Sequence, residues 1–370
     1  MNIYIAENIR RLRLEKSVTQ ERLAEHVGVT TSAVSKWERG EAYPDITLVL
    51  PLAEYFGVSA DTLLGVDKAR DEARIAEYIK ECSRLGALGR YKEQFELSVN
   101  AYREFPNDWQ VVYRYLGALN YDPNYEENPL RNEAHKDELY RLCARVLDEC
   151  PLDDTRYRAL SILSGLYMLD GEHDKAVVTA MRFPRYYETQ EEEMEVLYES
   201  GSAEWWPLVR TNVRNHAEML MVKIRDSALY GELEPRERIR ILQKALDLLA
   251  LVYDEGDYGF SFYHMCELHI WIANDYIRLK EYDTAFALLD KGLAYGRQYD
   301  ELPLESTHTS YLVRGMVQDM TLTTSSTTMN EVTRELGYLR HEFYDDVREL
   351  DGFRAVIAKY EPFAGEKAHK

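Results

Sequence analysis

The stretch TTSAVSKWERGEAYP, Thr30 to Pro44, sets one large indole among small polar and charged residues. Read as a helix, Val34 and Trp37 lie three apart and share a face, while Thr31, Ser32, Ser35 and Lys36 fall on the others. The chemistry on offer is hydrogen bonding and charge: hydroxyls that donate or accept, and an ammonium that seeks an anion. One face is anchored inward, and another is left to touch something polar.

The neighbouring residues predict the elements that must hold this segment. Ile5, Ile9 and Leu12 recur at helical spacing, giving a first helix over about residues 3–15 with Arg10, Arg11 and Arg13 around it. Thr19 reads as the N-cap of a second helix, QERLAEHV, whose inward stripe is Leu23, Ala24 and Val27. Gly28 ends it, and a third helix follows at once, capped by Thr30 and closed after Arg39 by Gly40. Asp45 caps a fourth element, ITLVLPLAEYFG, in which Pro51 predicts a kink or a late start of the regular helix. Ser59 caps a fifth, ending at Leu64 and Gly65.

Two short helices joined by a glycine-containing turn form a helix-turn-helix, whose second helix can enter the DNA major groove. Ala24 must be small where the two helices cross. The motifs TQERLAEHVGVTTSAVSKWERG, YPDI and LAEYFGVSADTLLG resemble the Xre/Cro family of helix-turn-helix DNA-binding domains, the fold of the 434 and lambda repressors. The resemblance covers about 65 of the 370 residues and implies five helices with double-stranded DNA as partner.

It also implies roles for individual residues. Val34 and Trp37 lock the third helix onto the core, and Thr31, Ser32 and Lys36 reach base edges. Gln20, with Ser35 and Arg39, falls to phosphate contact and register. Arg13 and Glu38 match a pair that joins the first helix to the third. Thr and Ser hydroxyls discriminate bases poorly, so direct readout is expected to be modest. Family members usually dimerise on two-fold operators, and repression is a family tendency.

Charge distribution supports a local interface. The net charge is −20, yet residues 1–40 carry 7 basic against 5 acidic side chains, and residues 1–65 carry 7 against 9. The acidic excess therefore belongs to the later part, and a polyanion must be met near the N-terminus. A domain of net −2 binds a polyanion weakly at physiological salt, so two copies on one site are expected, with a homodimer contact elsewhere in the chain.

The N-terminus has no long apolar run before a small-residue cleavage site, and LLALVY from Leu248 is too short to span a bilayer. A cytoplasmic protein without a membrane partner is the expectation. Cys82, Cys143, Cys150 and Cys266 form no CxxC pair and read as reduced thiols packed in cores.

After a short linker near Val66 to Arg70 the chain turns strongly charged and helical. In IWIANDYIRLKEYDTAFALLDKGLAYG, Ile272, Ala273 and Tyr276 share one helix and Ala285, Leu289 and Leu293 the next, with a turn near Lys280 to Asp283. The pattern is similar to a tetratricopeptide repeat. Weaker copies fall at 74–106, 156–184 and 109–151, the last with an insertion at 122–129.

The overall expectation is all-α: a five-helix lambda-repressor-like domain, residues 1–66, followed by a tetratricopeptide-like α-solenoid, residues 67–370, for sensing and dimerisation. The concave surface of such a stack commonly receives a peptide or a protein effector. Asn274 and Asn120 read equally well as backbone clamps or as satisfied structural amides, and Trp205 and Trp206 as core or interface fillers. Residues 321–330 read as a flexible loop, 331–360 as a capping helical stretch and the last residues as frayed.

Catalytic and metal motifs are missing. HMCELH, His264 to His269, does not place three ligands together on a helix face, and there is no HExxH, GxxxxGK[ST] or GxSxG. No enzyme, no cofactor and no metal are expected. The reading is a sequence-specific DNA-binding transcriptional regulator. Its rivals are an interaction scaffold with a vestigial helix-turn-helix and an antitoxin that represses its own operon.

Overall fold

The computed structural model describes residues 4–121, 135–185, 189–323, 325 and 327–367; the insertion expected at 122–129 lies outside them. The described residues are largely helical, with almost no strand, and the chain divides into two compact units. The first comprises residues 1–81 with 97–112, the second 82–96 with 113–370.

In the first unit the polar caps set the helix starts. Helix α1 spans Ile5–Glu15, α2 Gln20–Val27 and α3 Thr31–Glu38. The Thr19 hydroxyl accepts from Arg22 N at 3.3 Å and the Thr30 hydroxyl from Ala33 N at 3.2 Å, satisfying amides that a helix start leaves orphaned. Between the two helices Gly28 takes φ +69°, a left-handed stop that glycine adopts without strain. Asp45 caps a 3-10 turn at Ile46–Leu48, so the regular helix α4 starts late, at Val49–Phe56, with Pro51 in its first turn. Ser59 caps α5, Ala60–Leu64.

Ile9, Leu23, Val34, Leu52 and Leu63 are fully buried at the centre of this domain. Asn8 ties the first helix to the last: its side-chain amide donates to the Thr62 and Leu63 carbonyls at 3.1 and 3.3 Å. Those acceptors lie in the last turn of α5, where the Thr62 carbonyl also accepts from the capping Gly65 N at 3.3 Å.

Helix α6, Val66–Ala87, starts directly after Gly65, so the residues expected to form a linker are its first turn. Helices α7, Tyr91–Glu104, and α8, Trp109–Asn120, follow. Within the first unit, Arg74 Nη2 donates to Glu104 Oε2 at 2.7 Å and the Tyr78 hydroxyl to the same oxygen at 3.0 Å.

The second unit continues with α9, Lys136–Glu149; α10, Asp153–Leu169; α11, His173–Ala180; and α12, Gln190–Val196. Helix α10 packs on both α9 and α11. Then come α13, Trp205–Leu229; α14, Pro235–Val252; α15, Ser261–Arg278; α16, Tyr282–Asp300; α17, Glu331–Tyr338; and α18, Asp351–Tyr360. Each of α13 to α16 packs on the next, and α16 also on α18. Short turns between packed neighbours make these antiparallel hairpins. The expected turn after α15 is formed with Lys280 at φ +60°.

Several expectations need correction. Glu331 to Tyr360 is two helices separated by irregular chain: His341 caps a 3-10 turn, and Arg348 Nη2 donates to the Arg340 and His341 carbonyls at 2.8 and 3.2 Å. Thr321 and Leu322, expected in a flexible loop, belong to a 3-10 turn that Asp319 caps. Residues 364–367 are pinned rather than frayed: Asn330 N donates to Gly365 O at 3.0 Å and Lys367 N to Thr328 O at 2.9 Å. Trp205 and Trp206 meet edge to face at 5.0 Å, but Trp206 is exposed and Trp205 only half-buried, so neither fills a core. A small antiparallel hairpin was not foreseen: β1, Glu305–Thr307, pairs with β2, Val317–Asp319. Its anchor is Asp257, whose Oδ2 accepts from Thr309 N and Ser310 N at 2.9 and 2.7 Å.

Candidate nucleic-acid interface

Helix α3 carries an apolar ridge on one side only. Val34 is fully buried and Trp37 is 5% exposed, both in the core shared with α1 and α2. Ala24, also buried, lies on α2, which packs against α3. Burying an indole and a Val fixes the rotation of an eight-residue helix that could not stand alone in water.

A second device sets the helix from its C-terminal end. Arg13 Nε donates to Glu38 Oε1 at 2.6 Å and Arg13 Nη2 to Glu38 Oε2 at 2.9 Å, a bidentate pair joining α1 to α3. Arg13 Nη1 also donates to Val18 O at 2.9 Å. Gln20 Nε2 adds a third bond to the carboxylate, 2.8 Å from Glu38 Oε2, so α2 is tied in as well. Burial works against the charge on Glu38, yet the hydrogen bonds from Arg13 and Gln20 prevail and hold its pKa below the ordinary glutamate value.

What remains faces water. Ser32 is exposed and Thr31 half-buried at the N-terminal end of α3, where the helix dipole favours an anion, and Lys36 is exposed in its last turn. Ser35 is half-buried, and its hydroxyl accepts from Arg39. Arg39 is exposed and makes two bonds to Glu41, at 2.7 and 2.8 Å, so its guanidinium is not free in this structure. Such an exposed pair is weak enough to be exchanged for a phosphate.

Sequence reasoning assigned Gln20 outward and missed its bond to Glu38. A glutamine at the start of α2 carries no local signal of a partner 18 residues on. It also missed the exposed apolar side chains Tyr43, Ile46 and Leu50, which follow α3 and begin α4.

Two capped helices at a glycine turn, the second pinned by its own tryptophan, make residues 9–63 a helix-turn-helix domain, and this segment matches the helix-turn-helix family HTH_3. It is 41% identical over 58 residues to the HTH-type transcriptional activator BcrR of Enterococcus faecalis, covering 16% of this chain and 28% of that protein. It is 36% identical over 58 residues to the prophage-derived HTH-type regulator YonR of Bacillus subtilis, covering 16% of this chain and 54% of that one. The chain thus spans between about a quarter and a half of the relatives it matches. Among solved structures, PlcR of Bacillus thuringiensis with the peptide PapR7 and DNA aligns at 16% identity and TM-score 0.31, over 80% of this chain and 97% of that one. Apo ComR of S. thermophilus aligns at 13% identity and TM-score 0.24, over 80% and 94%. Likenesses that loose do not bear on fold or function.

Proposed function

We propose that the protein is a sequence-specific DNA-binding transcriptional regulator. The observation that carries this reading is the two-sided build of α3. Val34, Trp37 and the Arg13–Glu38–Gln20 cluster hold one side in the domain, which leaves Thr31, Ser32 and Lys36 to meet base edges in the major groove. Gln20, Ser35 and Arg39 serve the phosphates, Gln20 through the groups that Glu38 does not engage.

On this reading residues 1–66 are the DNA-binding domain and 67–370 the helical repeat domain. The repeat domain dimerises and takes a peptide or protein effector, which alters the spacing of two DNA-binding domains on a two-fold operator. The protein is not an enzyme and works in the cytoplasm. Among the described residues no helix is long and apolar enough to cross a membrane.

The test is a mobility-shift assay on the selected operator with Lys36→Glu and Gln20→Ala in the full-length chain. Both variants are expected to lose affinity, Lys36→Glu the more. Full affinity in both overturns this docking, and binding without salt dependence would favour the scaffold reading.

A further inference from the structure

We propose that Cys266, Glu331 and Glu335 bind one divalent transition-metal ion of the zinc class, inside the second unit between α15 and α17. Each offers one ligand atom, and the three atoms lie within 4.8 Å of one another. Glu331 and Glu335 stand four apart on α17 and so share a face, while Cys266 comes from α15. Gly296 of α16 completes the site by what it lacks: a methyl there would sit 3.1 Å from Cys266 Sγ and 3.4 Å from Glu331 Cγ.

Two independent observations point to a cation. The first is charge. Arg334 Nη2 donates to Glu331, to Glu335 Oε1 at 2.7 Å and to Glu267 Oε1 at 3.3 Å, so one nitrogen serves three carboxylates. Arg334 Nε, meanwhile, is buried and has no hydrogen-bond acceptor among the described residues. Glu331 and Glu335 are 7% and 8% exposed at their side chains, and Glu267 14%. Three carboxylates crowd one guanidinium in a place water barely reaches, and burial favours the neutral forms of Glu331 and Glu335, so a divalent ion would take the place of protons on these oxygens. Lys367 is a second cation near Glu331 and Asp300.

The second observation is the thiol. Cys266 is completely buried, is free of any disulfide, and makes no hydrogen bond among the described residues, yet its Sγ stands among carboxylate oxygens. A thiol placed only to fill space has no reason to face anions, whereas a thiolate beside two carboxylates is a donor set that zinc and cobalt accept and that calcium and magnesium do not favour. Shifts of about an ångström bring the three atoms to bonds of ~2.0–2.3 Å. Binding forms a metal–sulfur bond and releases the thiol proton, with any proton on the two carboxylates, to solvent. Arg334 keeps its bond to the Tyr263 hydroxyl at 2.9 Å and, being 30% exposed, has room to withdraw from Glu331 and Glu335. The bound ion joins α15 to α17 and stabilises the second unit.

The experiment is titration of chelator-stripped full-length protein with Co²⁺, whose thiolate complexes show charge-transfer absorption. We expect one equivalent bound with that absorption, displacement by Zn²⁺, and loss of the absorption in Cys266→Ser with unchanged helical circular dichroism. No charge-transfer absorption at saturating Co²⁺, or the same absorption in Cys266→Ser, overturns the proposal. Should Cys266→Ser misfold, Arg334→Gln decides. Removing the competing guanidinium is expected to tighten Co²⁺ binding by about tenfold or more, and unchanged or weaker binding overturns the proposal.

Discussion

Replacing Glu38 with Ala strands the Arg13 guanidinium. In the native domain the Arg13 side chain is 13% exposed and that of Glu38 4% exposed. Arg13 makes two bonds to the carboxylate and one to the Val18 carbonyl. The substitution leaves only the last of these, and it takes the acceptor from Gln20 Nε2. Deleting one partner of a buried pair costs about 3–5 kcal/mol. Arg13 keeps Val18 and lies near the domain edge, so the low end applies, about 3 kcal/mol. At roughly 1.4 kcal/mol per decade, amide protection across residues 5–40 of the full-length chain should fall about a hundredfold in hydrogen exchange. The double variant Arg13→Met/Glu38→Leu replaces both charges with apolar groups and should recover most of the protection. Protection in Glu38→Ala within about threefold of native, or no recovery in the double variant, would refute the view that this cluster holds α3 in place.

The same carboxylate predicts a pH dependence. Its native pKa is depressed, so its contribution is complete above the unfolded glutamate value of about 4.3 and is lost as pH falls through the native one. Exchange protection of α1 to α3 should therefore hold down to that pH and fall only below it; a decline beginning near neutrality would contradict this. Lys36→Ala should relax preference at one base pair by about 1–3 kcal/mol in a binding-site selection, whereas a uniform loss with a salt slope shallower by about one would move Lys36 to a phosphate. In the second unit the Tyr344 hydroxyl donates to Asn274 Oδ1 at 2.6 Å in a fully buried setting. Tyr344→Phe should cost about 1–2 kcal/mol, read as a melting temperature lower by roughly 3–6 °C; an unchanged melt would show the bond to be dispensable.

Local features were the legible ones. Thr19, Thr30 and Ser59 cap helices two or three residues away, and Gly28 and Gly65 stop them, so cap and stop can be read without knowing the tertiary structure. The α15–α16 hairpin was legible for the same reason, since Ile272, Ala273, Ala285 and Leu289 repeat at helical spacing and all are buried. Illegible features depend on distant partners. Hairpin β1–β2 has three residues per strand and is held by Asp257 some fifty residues upstream, so no periodicity announces it. Asn274, open to two readings in the sequence, is settled as a structural amide by Tyr338 and Tyr344, more than sixty residues on. Cys266 and Glu331 are equally far apart, which is why ligand spacing along the chain points no further than His264 and His269.

The pairing of charges in the first domain bears on how it can meet a polyanion. Of the seven basic residues in the first forty, Arg11, Arg13 and Arg39 are bonded to Glu15, Glu38 and Glu41, and Lys16 donates to the Tyr55 carbonyl. Arg10, Arg22 and Lys36 are exposed and make no ion pair among the described residues. With Lys36 on a base edge, the phosphates fall to Arg10, Arg22 and Arg39, the last once it exchanges Glu41 for a phosphate. Three cations on phosphates give a slope of log affinity against log salt of about −3, and two domains on one duplex about −5 to −6. Between about 50 and 200 mM salt that separates a loss of roughly fortyfold from one of roughly a thousandfold or more. A full-length protein that binds its operator with the shallower slope does so through one domain, and the proposed two-fold complex then fails.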